Sequence, residues 1–360
     1  MELKNQKILM VRLGAIGDVI RTLPALRTLR HNLPDAYIAW VVEDRAASLL
    51  KNHPDLNKVF VVPRKEWQQN FLSFKTLKEF VRFIQNLRKE NFDLVLDFHG
   101  LFKSGLITFL TGVKHRVGYT RKFSKEGNFL FTNDQVSLPD YKINRVERNL
   151  LLVKHLGLKT DEHNPIIPIT AKDREVVASA IFSRLTASSG PKIIMHPGSS
   201  PSTPYKRWDI TRFAALADRI IQKYGGNILF TAGNDERELV KNIFKQMTES
   251  HHVLCQTETL TQLAETIRRC DLFIGNDTAP MHLAAFVGTP VIALFGPTDP
   301  IENAPFGKGE AIVIRKDVSC NPCRIRECQN LLCMDAITVD DVLESVDWVL
   351  LRKGFNPKSR

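Results

Sequence analysis

Short apolar runs recur along this chain, each ended by glycine, proline or an acidic turn and followed by a stretch with apolar residues at helical spacing. The first series predicts a strand over 7–13, a helix over 19–31 and a strand over 36–42 after Pro34-Asp35. It continues with a short helix over 46–51 and a strand over 59–62. A longer helix follows over 72–90, with Phe74, Leu77, Phe80, Val81, Ile84 and Leu87 read as core positions. A strand over 93–97, a helix opened by His99–Ser104 and a helix over 145–157 complete the first half. A polar stretch with two prolines, 159–168, reads as a linker. The second series predicts helices over 171–185, 210–223, 260–269 and 281–287, interleaved with strands over 192–195, 228–232, 272–274 and 291–295. Gly288 stops the fourth of these helices, and the chain closes on an amphipathic helix over 339–352. Strands alternating with helices in both halves predict parallel sheets of the α/β class.

Composition fits two domains. The 360 residues are 43% hydrophobic and 25% charged, a globular balance. No apolar run reaches the roughly 18 residues of a membrane span, and the first apolar run enters a glycine turn rather than a secretory cleavage site. A cytoplasmic location is therefore expected. The net charge of +11 is uneven: residues 1–168 hold 27 Lys and Arg against 17 Asp and Glu, whereas 169–360 hold 23 against 22. A basic first half is expected to meet an acidic partner: nucleic acid, an anionic membrane surface or a phosphorylated glycolipid. The aromatics of that half sit at helical core spacing with no interleaved stacking motif, which speaks against nucleic acid.

Candidate chemistry gathers at glycine loops between strand and helix. In 271–300 the order is strand, turn, helix, strand, turn, and Gly275-Asn276-Asp277-Thr278 is turn and helix-start chemistry with Pro280 in the first helical turn. A helix begun at the carboxyl end of a parallel strand points free N–H groups into a crevice, which suits an anion. Thr278, Ala279 and His282 on that start suit a diphosphate; Asp277 suits a cap or a sugar hydroxyl. Gly14-Ala15-Ile16-Gly17-Asp18 is a second such loop, with Asp18 at the helix start, and lacks the three spaced glycines of a dinucleotide fingerprint. His196-Pro197-Gly198-Ser199-Ser200 followed by Lys206-Arg207-Trp208 is a third, where glycine admits an anion to the backbone and lysine adds a point charge. Cys320, Cys323, Cys328 and Cys333 have the spacing C-x2-C-x4-C-x4-C. Four thiolates so spaced are able to close a zinc or iron–sulfur site, but only one C-x2-C knuckle is present, so plain thiols or a redox-labile pair is the favoured reading.

The segment GNDTAPMHLAAFVGTPVIALFGPTDP resembles the donor site of the ADP-heptose:lipopolysaccharide heptosyltransferases, glycosyltransferase family nine. The resemblance implies a GT-B fold, two Rossmann-like parallel-sheet domains with a cleft between them. The boundaries expected are an acceptor domain at 1–165, a donor domain at 170–335, and a C-terminal helix at 336–352 packing back on the first domain. It implies Asp18 as the catalytic base, with Ser199, Ser200 and Lys206 around the donor phosphates. It also implies an acidic residue on the donor nucleoside, for which Glu236 is chosen and Asp235 and Glu238 are alternatives. His99 and Lys103 resemble an acceptor-side loop, Arg116-Val117-Gly118 resembles the family's R-x-G strand, and Arg121 and Lys122 lie in a basic loop suited to acceptor phosphates or carboxylates. The activity implied is an inverting transfer of heptose from ADP-heptose to an acidic lipid-linked core saccharide at the inner face of the cytoplasmic membrane. No cofactor is expected: no D-x-D motif stands at this site, and lysine, histidine and a helix start can do a metal's work. Alternatives are a transferase or epimerase using another nucleotide sugar, or a non-enzymatic binder. The reading requires the loop beginning at Asn276 to face Asp18 across a gap between two halves.

Overall fold

Buried apolar runs form the strands of two separate sheets, parallel throughout. The computed structural model describes residues 5–70, 73–161, 163–323, 325, 327–328 and 330–358. The chain divides into units Met1–Pro168 and Ile169–Arg360.

The first sheet contains β1 (Lys7–Val11), β2 (Tyr37–Glu43), β3 (Lys58–Val62), β4 (Leu94–Asp97), β5 (His115–Tyr119) and β6 (Asp134–Val136), in the order β3-β2-β1-β4-β5-β6. Its helices are α1 (Ile16–Ile20), α2 (Leu23–Asn32), α3 (Arg64–Gln69), α4 (Phe74–Lys89), α5 (Phe102–Leu110) and α6 (Arg145–His155). Strand residues such as Ile8, Leu9, Met10 and Val11 are wholly buried, as both faces of a parallel sheet must be covered. The second sheet contains β7 (Lys192–His196), β8 (Asn227–Thr231), β9 (His252–Cys255), β10 (Leu272–Asn276), β11 (Val291–Phe295) and β12 (Ala311–Arg315), in the order β12-β11-β10-β7-β8-β9. Its helices are α7 (Ala171–Ala180), α8 (Ile210–Tyr224), α9 (Arg237–Phe244), α10 (Leu260–Arg268), α11 (Ala279–Val287), α12 (Pro300–Asn303), α13 (Leu332–Asp335) and α14 (Val339–Arg352). Both orders are doubly wound, with the reversal between β1 and β4 in one sheet and between β7 and β10 in the other. Ligands of such sheets bind outside the carboxyl ends of the strands at that reversal.

Three expectations change. The helix expected over 19–31 is two helices, because Pro24 has no N–H and its ring would meet the carbonyl of Ile20; the chain turns at Arg21-Thr22 instead. The helix expected over 72–90 is α4, its expected start at Leu72 lying outside the described residues, and its apolar positions are not all core. Ile84 and Leu87 are buried and Phe80 and Phe83 pack beside them, but Phe74, Leu77 and Val81 face outward. The C-terminal helix has the expected bounds, but its apolar side belongs to the second unit. Val342, Val346, Val349 and Leu350 fill the second unit's own core with Ile220, Ile221 and Ile292. Trp208 secures this arrangement: wholly buried, it stacks edge-on against Phe213 and donates from Nε1 to the carbonyl of Ile337, just ahead of α14, at 2.9 Å. Truncating Trp208 to alanine is expected to cost about 3–5 kcal/mol, read as a lowered midpoint in urea unfolding; an unchanged midpoint would contradict the packing described.

Candidate functional site

Each sheet carries a cluster of polar side chains at its reversal point, and the two clusters are described separately.

In the first unit the cluster is built on the ends of β1, β2 and β4. Arg12 follows β1 directly, and its carbonyl accepts from the buried Trp40 indole at 3.1 Å, which fixes the backbone there. Its guanidinium reaches the carbonyl of Phe98, at the end of β4, and the carboxylate of Asp18 at 2.5 Å. Asp18 lies in the first turn of α1, where the helix dipole favours a carboxylate. It is also held by Arg21, three residues on, at 2.5 Å and by Arg145 at 3.6 Å. Arg145 begins α6, which is tied to the α1–α2 junction by Asn149 Nδ2 donating to the Arg21 carbonyl at 3.0 Å. Burial would push the Asp18 carboxyl up, but the guanidiniums of Arg12, Arg21 and Arg145 outweigh it and hold the group far below the ordinary carboxylate range. The side chain keeps 21% of its surface exposed, so a ligand can reach it.

Beside it, Glu43 at the end of β2 is almost fully buried and holds both Lys103 at 2.7 Å and Arg64 at 3.0 Å. Around Asp18 and Glu43 the paired groups are thus five cations to two carboxylates. The loop after β4 is rigid. Asp97 accepts from the His99 and Gly100 N–H groups, from Ser104 Oγ and from Asn128 Nδ2 at 2.7 Å, and burial pushes its carboxyl up. That loop presents His99, whose two ring nitrogens are shielded from solvent and have no partner among the described residues. Burial, with Arg12 and Lys103 nearby, pushes the imidazole down to about 3, so it is neutral at physiological pH. Arg121 and Lys122, after β5, are exposed; Arg121 lies over the Phe129 ring and Lys122 pairs with Asp140.

In the second unit the cluster joins the ends of β7 and β10. Asn276, wholly buried, donates from Nδ2 to the carbonyls of Pro197 and Gly198 at 2.9 and 3.2 Å and accepts from the Trp208 N–H at 3.1 Å, so one amide sets both loops. Lys206 Nζ meets the Asp277 carboxylate at 2.7 Å. Thr278 is the N-cap of α11, but its hydroxyl bonds to the carbonyl of Asn276 and does not cap the helix. Ala279 is the first helical residue, and His282, almost fully buried, lies within the same turn. Ser199 is placed differently from the expectation of a free phosphate-facing hydroxyl. It is buried, donates to the Thr203 carbonyl at 2.7 Å and accepts from Arg207 Nε at 3.0 Å, which stiffens the loop. Ser200 is exposed beside Ser202. Of the three acids considered after β8, Glu236 alone is buried. It accepts from the Gly233 N–H at 2.8 Å, approaches His196 at 3.9 Å, and packs so closely on Gly198 that a Cβ there would sit 2.3 Å from its carboxylate. Asp235 and Glu238 are exposed.

Sequence reading missed Arg12, Arg21, Arg145 and Glu43 in the first unit. The spacing of Asp18 and Arg21 on one helical turn was a usable signal; the others come from distant strands and helices. In the second unit it missed Asn276 as the loop organiser and Thr298, whose buried hydroxyl after β11 has no partner among the described residues. The four clustered cysteines are free thiols, and burial, together with Cys320 and Cys323 nearby, pushes that of Cys333 up. Among the described residues no three His, Cys, Asp or Glu side chains converge as metal ligands. No helix there is long and apolar enough to cross a membrane.

A lipooligosaccharide heptosyltransferase 2 of Campylobacter jejuni is 28% identical over 342 residues, covering 91% of this chain and 93% of that protein. The crystal structure of a glycosyltransferase family 9 protein from Veillonella parvula superposes with a TM-score of 0.82 at 24% identity, covering 98% of this chain and 99% of the other. An E. coli heptosyltransferase solved with ADP-2-deoxy-2-fluoro heptose superposes with a TM-score of 0.72 at 23% identity, over 95% and 99% of the two chains. These likenesses give the fold as GT-B. The model of glycosyltransferase family 9 (heptosyltransferase) matches residues 80–333, and the chain, a glycosyltransferase, belongs to that family.

Proposed function

We propose that this enzyme moves heptose from ADP-heptose to an acidic inner-core saccharide of lipopolysaccharide, Kdo-lipid A or a heptosylated core, with inversion at the anomeric carbon. The observation that carries the acidic acceptor is the surplus of cations at Asp18 and Glu43, five against two carboxylates. A neutral sugar would leave that surplus unbalanced; carboxylates or phosphates on the acceptor would balance it. Heptose as the sugar is supported by the C. jejuni relative, a lipooligosaccharide heptosyltransferase, and ADP as the nucleotide by the E. coli structure's ligand. The lipid-linked acceptor puts the reaction at the inner face of the cytoplasmic membrane.

In this reading the donor diphosphate lies at the start of α11, near Thr278, Ala279 and His282, with Lys206 and the Ser200 hydroxyl beside it and Glu236 toward the ribose. Lys206 turns from Asp277 to the phosphate, and fixed N–H groups meet the charge that grows on the leaving diphosphate. Ser199 keeps the loop in shape. Asp18 takes the proton of the acceptor hydroxyl as that oxygen attacks the sugar. His99, Lys103, Arg121 and Lys122 orient the acceptor.

A carboxylate clamped by three guanidiniums is a weak base. It becomes a competent one only when an anionic acceptor draws Arg12, Arg21 or Arg145 away and lets its proton affinity rise. Two outcomes follow. With ADP-heptose and a Kdo-bearing acceptor, mass spectrometry is expected to show one added heptose. Asp18→Asn should lower kcat by on the order of 10²–10⁴-fold while ADP binding by calorimetry stays unchanged; transfer from UDP-sugars alone would redirect the reading to another nucleotide sugar. In the pH profile, kcat/KM reports the free enzyme, where Asp18 stays ionised, so no acid limb is expected within the ordinary carboxylate range. The kcat profile reports the bound complex and should fall at a higher pH on the acid side. Identical acid limbs would refute activation by the acceptor.

A further inference from the structure

The outward face of α4 is unlike an ordinary solvated helix surface. Phe74, Leu77 and Val81, spaced three and four apart, form one strip and are 83%, 58% and 46% exposed. Lys78, one turn on from Phe74, and Arg82 border the strip, with Lys75 just beyond; all three are exposed. The helix carries five Lys and Arg and a single acid, Glu79. Glu79 is turned toward α3, where it accepts from Trp67 Nε1 at 3.3 Å and pairs with Lys75 at 3.8 Å. The other side of α4 is fully used: Trp67 of α3 stacks edge-on against Phe80 and Phe83 at 5.6 and 5.8 Å, and Ile84 and Leu87 are buried on the sheet. The strip is therefore surplus to the core, and an exposed apolar patch rimmed by polar residues is a mark of an interaction site.

We infer that this face of α4 docks on an anionic lipid surface, the three apolar side chains entering the interface while Lys75, Lys78 and Arg82 meet the headgroups. An apolar strip bordered by cations, with the helix's one carboxylate turned toward α3, is the pattern of a helix lying in a membrane interface. A second copy of the chain fits poorly, because a two-fold pairing of this face would oppose cations with cations. The location also fits. α3 directly precedes α4, and its first residue, Arg64, binds Glu43, which also holds Lys103 of the acceptor cluster. α4 runs back from the carboxyl edge of the sheet, so Phe74 in its first turn sits at the edge that carries Asp18 and His99. A lipid-held acceptor would meet the enzyme there. This inference rests on the lipid-linked acceptor proposed above.

The test is flotation of the purified full-length chain with phosphatidylcholine vesicles, with and without phosphatidylglycerol. Two variants are compared, Phe74→Ser/Leu77→Ser/Val81→Ser and Lys75→Glu/Lys78→Glu/Arg82→Glu. The wild type is expected to float only with the phosphatidylglycerol vesicles. Each variant should lose about tenfold or more of that binding, the serine variant because burial of even one large apolar side chain is worth that much and the glutamate variant because three headgroup attractions become repulsions. Both variants should transfer to a soluble, delipidated acceptor at the wild-type rate, which also reports their folding. A wild type that ignores anionic vesicles, or variants that float equally well, would overturn the assignment. So would a wild-type dimer that the serine variant turns into a monomer without loss of flotation. Flotation as expected with no transfer by any of the proteins would instead refute the transferase reading and leave the docking face standing.

Discussion

The first unit is organised by one electrostatic arrangement, the Asp18 carboxylate gripped by Arg12, Arg21 and Arg145. Three elements depend on it. β1 delivers Arg12, α1 delivers Asp18 with Arg21, and α6 delivers Arg145, so the ion cluster ties together strands and helices that are far apart in the sequence. Three like charges at one point repel one another, and a single carboxylate offsets only part of that repulsion. The remainder is tolerated because the cluster lies at the end of the sheet with partial access to solvent, where a further anion can enter. Such stored repulsion is a common mark of a binding site, since a group that served stability alone would be balanced.

The second unit solves a related problem with less charge. Its net charge is close to zero, and the elements proposed to meet the donor phosphates are mostly backbone: the start of α11 and the loop after Gly198. Backbone N–H groups are only useful if they are held still. Asn276 does this by bonding across to Pro197, Gly198 and Trp208, and Ser199 does it within its own loop. The ion pair with Asp277 holds the Lys206 cation beside the start of α11. Replacing that partner with a phosphate costs little, because the new contact is of the same kind as the old one.

What the sequence disclosed and what it hid follow from chain distance. The glycine loop ending at Asp18 and the turn at Asn276 are local: strand, turn and helix lie within a few residues, so spacing reveals them. The parallel sheets were legible for the same reason. Glu43 and Lys103, sixty residues apart, meet only because β2 and α5 end on the same edge, and no local pattern announces that. Arg145 is more remote still from Asp18. Ser199 shows a subtler failure: residue type and position were read, but which way a hydroxyl turns depends on Arg207 and Thr203. The C-terminal helix was misplaced because an apolar stripe says that a helix is buried, not against what; Trp208 and the α8 residues Ile220 and Ile221 decide that.

The helix α4 shows why periodicity alone cannot sort a core face from a docking face. Its seven apolar positions form one continuous stripe, broader than the sheet can cover. The sheet takes one edge of the stripe, with Ile84 and Leu87, and leaves the other, with Phe74, Leu77 and Val81, facing out. What separates the two edges in the sequence is their company. The inner edge is neighboured by aromatics that pack on Trp67, whereas the outer edge is neighboured by Lys75, Lys78 and Arg82, with Glu79 the one acid among them. A bordering cation shields an exposed apolar side chain poorly from water but is well suited to phosphate headgroups. The charge surplus of the first half of the chain is thus divided between two uses. One part surrounds Asp18 and Glu43, where carboxylates hold it in place, and the other borders the outer edge of α4, where almost nothing in the protein opposes it.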